Sequence, residues 1–221
     1  MCLRHCPTFH LKNLCTCRLI ANTCGSPVRL ALAVLSLLLF LSPGLGCSKT
    51  DTDMPVATYG VLDLTGWDMP RDGPIAINGQ WEFSWDRLLS PEDFSPSVTP
   101  PEPSGFMTLP GVWKGHQLHG LPLPGHGQAS FRLRLLPQPG EHQLALRIVA
   151  VNAAYRLWAG GKLIAESGVV GNTAEAETPL RSLVLARFES RAAPIDLVLQ
   201  VSNHAFHRGG VQNAIMLGLP D

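Results

Sequence analysis

Residues Leu144–Gly168, LALRIVAVNAAYRLWAGGKLIAESG, constrain the fold more than any other stretch of the chain. Leu144, Leu146 and Ile148 alternate with Ala145 and Arg147, the two-residue period of a strand with one buried face. Tyr155–Trp158 and Leu163–Glu166 flank Ala159-Gly160-Gly161-Lys162, where adjacent glycines supply the positive φ angles that hairpin turns need. The segment reads as three short strands, the last two forming a tight hairpin. An antiparallel β framework with no evident catalytic motif points to a binding protein rather than an enzyme.

Other strand patterns fall on both sides of it. Asn78-Gly79 is a turn signal, and Trp81, Phe83 and Trp85 share one face of the strand that follows. Asp86–Leu89 reads as the start of a helical turn. Ser90–Pro110 carries six prolines and reads as a long surface excursion, and Gly111–Gly127 reads as a second long loop. Strand patterns resume at Phe131, Leu133 and Leu135, and again at Leu183 and Leu185. Ile195, Leu197, Leu199 and Val201 form the cleanest alternation, and Ala214–Leu219 supplies a last strand. Many short strands with almost no helical period indicate a β-sandwich or barrel.

The N-terminal part is of a different character. Leu30–Leu41 is apolar except for Ser36, too short to span a bilayer comfortably but suited to the core of a secretory signal. Arg29 precedes it and the small residues of Ser42–Gly46 follow. Residues 1–46 are therefore read as leader and signal peptide, with translation expected to start near Val28, because the preceding cysteine-rich segment is foreign to a signal. All six cysteines (Cys2, Cys6, Cys15, Cys17, Cys24, Cys47) lie before Ser48, so no disulfide and no thiolate metal site is expected in the fold.

Cys47 has two readings: lipid attachment after a small residue, or ordinary cleavage nearby. Gly44 stands where lipoprotein signals usually carry Leu. Residues 47–58 read as a polar tether and residues 59–221 as the domain. Of 17 basic residues, four precede Cys47, which leaves 13 against 17 acidic ones and a net charge of −4 for the exported part. Such a surface does not recruit nucleic acid, which needs a basic face.

Chemistry-bearing residues are scattered. His116, His119 and His126 lie in one loop and His204 and His207 in another, but a metal centre needs three or more converging ligands, and no metal or cofactor is expected. No Gly-x-Ser-x-Gly elbow, His-Glu-x-x-His motif or phosphate-binding glycine loop occurs. Glu166, Glu175 and Glu177 are the nearest candidates for paired carboxylates and sit in or beside a surface loop.

Asn78-Gly79-Gln80-Trp81-Glu82-Phe83, Pro110-Gly111-Val112-Trp113, Ala154-Tyr155-Arg156-Leu157-Trp158, Val201-Ser202-Asn203 and His207-Arg208-Gly209-Gly210 follow one another in a familiar order. Together they resemble the extracellular sensor domain of bacterial seven-transmembrane receptors with diverse intracellular signalling modules. That domain is similar to the sugar-binding domain at the front of family-two glycoside hydrolases. The resemblance covers Tyr59 to Asp221 and implies an all-β, galactose-binding-like jelly-roll sandwich with no catalytic groups of its own. Two departures stand out. Gly160-Gly161 occupies a hairpin that usually carries Asn-Gly, and the family's membrane helices and output module are not in this sequence. A free-standing sensor or the front piece of a split receptor is expected.

Sugar recognition needs an aromatic face for the apolar side of a pyranose and planar polar groups for its hydroxyls. On the loops carrying the family-like residues, Trp113, Asn203, His207 and Arg208 are the candidate ligand-binding residues. This requires strands Phe131–Leu136 and Ile195–Val201 to be antiparallel neighbours. The alternatives are a Trp113 that plugs the core beneath its proline-rich loop and an Arg208 that ties its own loop down. Trp81, Phe83, Trp85 and Trp158 are read as core. The expected function is an exported, non-catalytic module binding a carbohydrate or similar small polar ligand. Docking on a membrane signalling partner, or service as an accessory domain of a sugar-processing enzyme, are the alternatives.

Overall fold

The computed structural model describes residues 54–220 apart from Glu141 and Ala192, all within one compact unit, Thr52–Asp221. The signal segment, Cys47 and the start of the tether lie outside the described residues. In chain order the strands are β1 (Val61–Asp63), β2 (Ile75–Ala76), β3 (Gly79–Trp85), β4 (Gly105–Leu109), β5 (Gly111–Val112), β6 (Gln117–Leu118), β7 (Leu121–Pro122) and β8 (Gly127–Leu136). They continue with β9 (His142–Ile148), β10 (Val151–Asn152), β11 (Ala154–Ala159), β12 (Lys162–Ser167), β13 (Val184–Ser190), β14 (Ile195–Asn203), β15 (Gly210–Val211) and β16 (Met216–Gly218).

One sheet has the order β12-β11-β14-β8-β3-β4, with β1 joining β8 in parallel. The other has the order β13-β9-β16-β2. A small sheet, β10-β15-β5, closes one end, and β6-β7 is a short hairpin. The chain alternates between the two main sheets, and the core lies between them as a jelly-roll sandwich.

Period-two patterning explains which residues meet. Phe83, Phe131, Leu199 and Leu157 form one row across four strands and are wholly buried. Leu144, Leu146 and Ile148 of β9 face them from the other sheet, as their alternation predicts. Strands β8 and β14 pair antiparallel along their whole lengths, from Ile195↔Leu135 to Asn203↔Gly127. The β11–β12 hairpin turns at Gly160 and Gly161, with φ of 54° and 84°, which a Cβ-bearing residue adopts only with strain.

The Asn78-Gly79 turn signal marks a corner between sheets, since β2 and β3 belong to different ones. A Cβ at Gly79 would lie 2.3 Å from the Ala57 carbonyl oxygen, so glycine is required where two backbones touch. Several expectations are corrected. The helical turn falls at Pro91–Phe94 and not at Asp86–Leu89, since Ser90 and Asp93 make a capping box there. The proline-rich stretch hides strand β4, because Gly105–Leu109 follows the last of the clustered prolines and pairs with β3.

Leu183 and Leu185, which mark β13 in the sequence, point outward at 63% and 57% exposure, while Ala186, Phe188 and Ser190 face the core. Trp158 is not a core residue either. Tyr155, Leu157 and Ala159 turn inward, so the same period sends Trp158 to the outer face, half-exposed, in register with Val198.

The segment from Arg87 to Ser104 straps that outer face. Leu89 N donates to Ser130 Oγ, Ser130 Oγ donates to Arg87 O, and Gln200 Nε2 donates to Leu89 O. The Ser104 hydroxyl accepts from Trp85 N, and Phe94 sits 4.6 Å from the Arg132 guanidinium. Arg132 also pairs with Glu82 at 3.2 Å and with Asp196 at 3.0 Å, and Arg134 reaches Asp196 at 3.0 Å.

Burial alone would push the Asp196 carboxyl up, but hydrogen bonds from Arg134 and Arg132 outweigh it and hold it below the ordinary carboxylate value. A carboxyl lowered in the folded state contributes stability above its unfolded value near 3.8, and that stability is lost as pH falls through the folded value. Asp196→Asn is therefore expected to melt lower at neutral pH and to show a smaller further loss toward about pH 3. Equal acid sensitivity of parent and variant in thermal melts would contradict this.

Tyr155 presents the opposite situation. Its hydroxyl is buried without a hydrogen-bond partner among the described residues, and burial pushes it up to about 12. An unpaired buried hydroxyl costs about 1–3 kcal/mol. Tyr155→Phe is accordingly expected to match or exceed the parent in denaturant midpoint, and a clear loss would reveal a partner.

Candidate functional site

The two loops that carry the family-like residues meet at one end of the sandwich. β15 pairs with β5 and β10, bringing Gly210 opposite Val112 and Asn152. The glycine pair Gly209-Gly210 has a geometric cause. A Cβ on Gly209 would stand 2.0 Å from the Trp113 ring, and one on Gly210 would stand 2.6 Å from the Gly111 carbonyl oxygen. The backbone passes directly over the indole and pairs beyond it.

Trp113 and Asn203 are the pins of this junction, and neither can meet a ligand as the sequence reading supposed. Trp113 is 0% exposed. Its Nε1 donates to Gly125 O at 3.2 Å, its backbone N donates to Gly209 O, and its ring packs edge-on against Trp85 at 5.5 Å. It is the core plug beneath its loop, with no free face for stacking. Asn203 is likewise 0% exposed. Its Nδ2 donates to Gly125 O and Phe206 O, and its Oδ1 accepts from Phe206 N. Every bond it makes is to backbone, which leaves its amide no role toward a sugar hydroxyl.

His207 and Arg208 are exposed at the rim. His207 contacts the Lys114 ammonium from the other loop, and the Arg208 carbonyl accepts from Asn152 Nδ2 at 3.1 Å. The Arg208 backbone is thus tied down while its guanidinium faces solvent. Lys114 and Phe206 complete the exposed edge, and the sequence reading missed both. Phe206 is the aromatic that reaches the surface here, at 36% exposure. The only signal for it was its position in the tip of the loop between Asn203 and His207.

The other candidate groups are dispersed. His116 packs edge-on against Phe83, His119 sits at positive φ beside the β6–β7 turn, and His126 is exposed. His204 Nε2 lies 3.2 Å from Gly171 O. Glu166 is 3.8 Å from Arg156, Glu175 is exposed, and Glu177 is buried, accepting a hydrogen bond from His204 N. Among the described residues no group of three or more His, Cys, Asp or Glu side chains could hold a metal ion.

No protein-family model matches the chain, and no curated protein matches it in sequence. Solved structures do. A β-glucuronidase from Ruminococcus gnavus superposes with a TM-score of 0.50 at 13% identity, covering 67% of this chain and 29% of the enzyme. The structure of β-glucuronidase from the same organism in complex with D-glucuronic acid gives 0.50 and 13%, covering 67% of this chain and 30% of that one. This chain therefore spans less than a third of the enzymes' length. At this identity the likeness is one of fold: an all-β jelly-roll sandwich of the galactose-binding-like kind.

Proposed function

We propose that this chain is an exported, non-catalytic binding module for a carbohydrate or similar small polar ligand, the sensor part of a receptor or an accessory part of a sugar-processing system. The sandwich carries the reading: a rigid all-β frame of the type found in glycoside hydrolases, with polar side chains gathered on the loops at its ends. Export through the Leu30–Leu41 segment and an acyl anchor at Cys47 belong to the same reading.

A glycan array followed by ligand-dependent melting tests it. A melting shift with a saccharide is the expected result, and the absence of one across neutral and acidic sugars would sink it. The runner-up, docking on a membrane protein, draws on Leu180, Leu183 and Leu185, which are exposed on or shortly before the edge strand β13.

A further inference from the structure

The end of the sandwich away from the Trp113 junction holds a cleft of about 510 Å³. It lies at the opposite terminus of β14, on the order of 25 Å from Asn203 by strand rise. Its position follows from topology. β13 is the edge of one main sheet and β12 the edge of the other, so the sandwich opens between them where β13 hands over to β14. The floor is apolar, made of Ala159, Phe188 and Ile195, and among the described residues the rim carries Lys162, Arg187 and Arg191 with one carboxylate, Glu189. This is a cationic mouth on an exported part whose net charge is −4. Arg191 and Glu189 are 3.8 Å apart, with side chains 75% and 71% exposed, so solvent screens their attraction and either can exchange its partner for a ligand.

A second observation marks the same place. An adjoining recess of about 190 Å³ shares Gln143, Glu189 and Arg191 with the cleft and is lined by Ser190. Ser190 is 1% exposed, and its hydroxyl has no hydrogen-bond partner among the described residues. Buried polar groups are nearly always paired, and an unpaired one beside an open recess is what a site looks like when a ligand or water completes it.

We propose that this cleft binds an acidic saccharide, with the sugar carboxylate held by Lys162 and Arg191. Gln143 and Glu189, paired across β9 and β13, take ring hydroxyls. The volume falls in the range of about 300–1,000 Å³ typical of small-molecule sites and accommodates a short oligosaccharide. The charge-assisted fork of a guanidinium suits a carboxylate, while a lone anion leaves the hydroxyl partners unused. The inference rests on the carbohydrate-binding reading and commits it to one ligand class and one end of the molecule.

Calorimetric titration of the purified protein with trigalacturonate, galactotriose and acetate tests it. The variants are the Lys162→Ala/Arg191→Ala double substitution and Arg208→Ala. All three positions are exposed, and unchanged melting temperatures verify that the folds are intact. Trigalacturonate is expected to bind and to weaken as salt is added. It is also expected to lose at least about tenfold in affinity in the double variant while Arg208→Ala binds as the parent does. Loss of binding in Arg208→Ala alone would move the site to the other end, overturning this inference but not the carbohydrate reading. Preference for galactotriose, or equal binding of acetate, would overturn the acidic-saccharide assignment. Binding of none of the three probes would overturn the inference, and the glycan array then decides separately whether any sugar is bound.

Discussion

Trp113→Ala is expected to lower the stability of the domain by about 3–5 kcal/mol, the cost of emptying a large aromatic site in a packed core. In a domain of this size that corresponds to a melting temperature roughly 10 °C lower. The cause is specific. The indole fills the space under the β5–β15 junction, bonds Gly125 O, and supports the backbone of Gly209, which lies against its ring. The reciprocal change should act through the same contact. Gly209→Ala places a methyl 2.0 Å from a ring with no room to retreat and should destabilise to a comparable degree. Thermal unfolding of the two variants checks both. A Trp113→Ala protein that melts like the parent would return the indole to the list of ligand contacts.

Asn203→Ala should cost about 1–3 kcal/mol, because Phe206 N and Phe206 O lose their partner while Gly125 O keeps the hydrogen bond from Trp113 Nε1. Gly125 O loses one of its two donors. The isosteric Asn203→Asp change separates bonding from packing. A carboxylate still accepts from Phe206 N but faces two carbonyl oxygens with nothing to donate, and it should be at least as damaging as alanine. Amide exchange at Phe206 is the direct readout, expected to accelerate in Asn203→Ala. Unchanged protection would show that the loop is held by the small sheet alone.

These two residues also show how far the sequence reached. Trp113 and Asn203 were recognised as members of one constellation, and the structure brings them together at the predicted end, through the predicted pairing of β8 with β14. Their role could not be read the same way. Whether an indole shows a face to solvent depends on what crosses above it, and here that is Gly209, nearly a hundred residues away in the chain. Residue type was shared by both readings, and only the fold separates them.

The long alternating strands β3, β8, β9 and β14, the Gly160-Gly161 turn and the inward row of Phe83, Phe131 and Leu199 are determined by local physics, while β4 to β7 lie in segments that read as loops. A two-residue period and a positive φ are properties of neighbouring residues, legible without any partner. The period gives the right faces on β8, β9 and β14 and sends Trp158 outside, whereas on β13 the alternating leucines lie on the outer face. Tertiary structure alone decided which edge is open, what straps the outer face, and where charge collects. Lys162, Gln143 and Arg191 come from three different strands or loops, and the cleft they rim exists because two sheets part at their edges. A sheet edge is set by pairing between distant segments, and no local pattern encodes it.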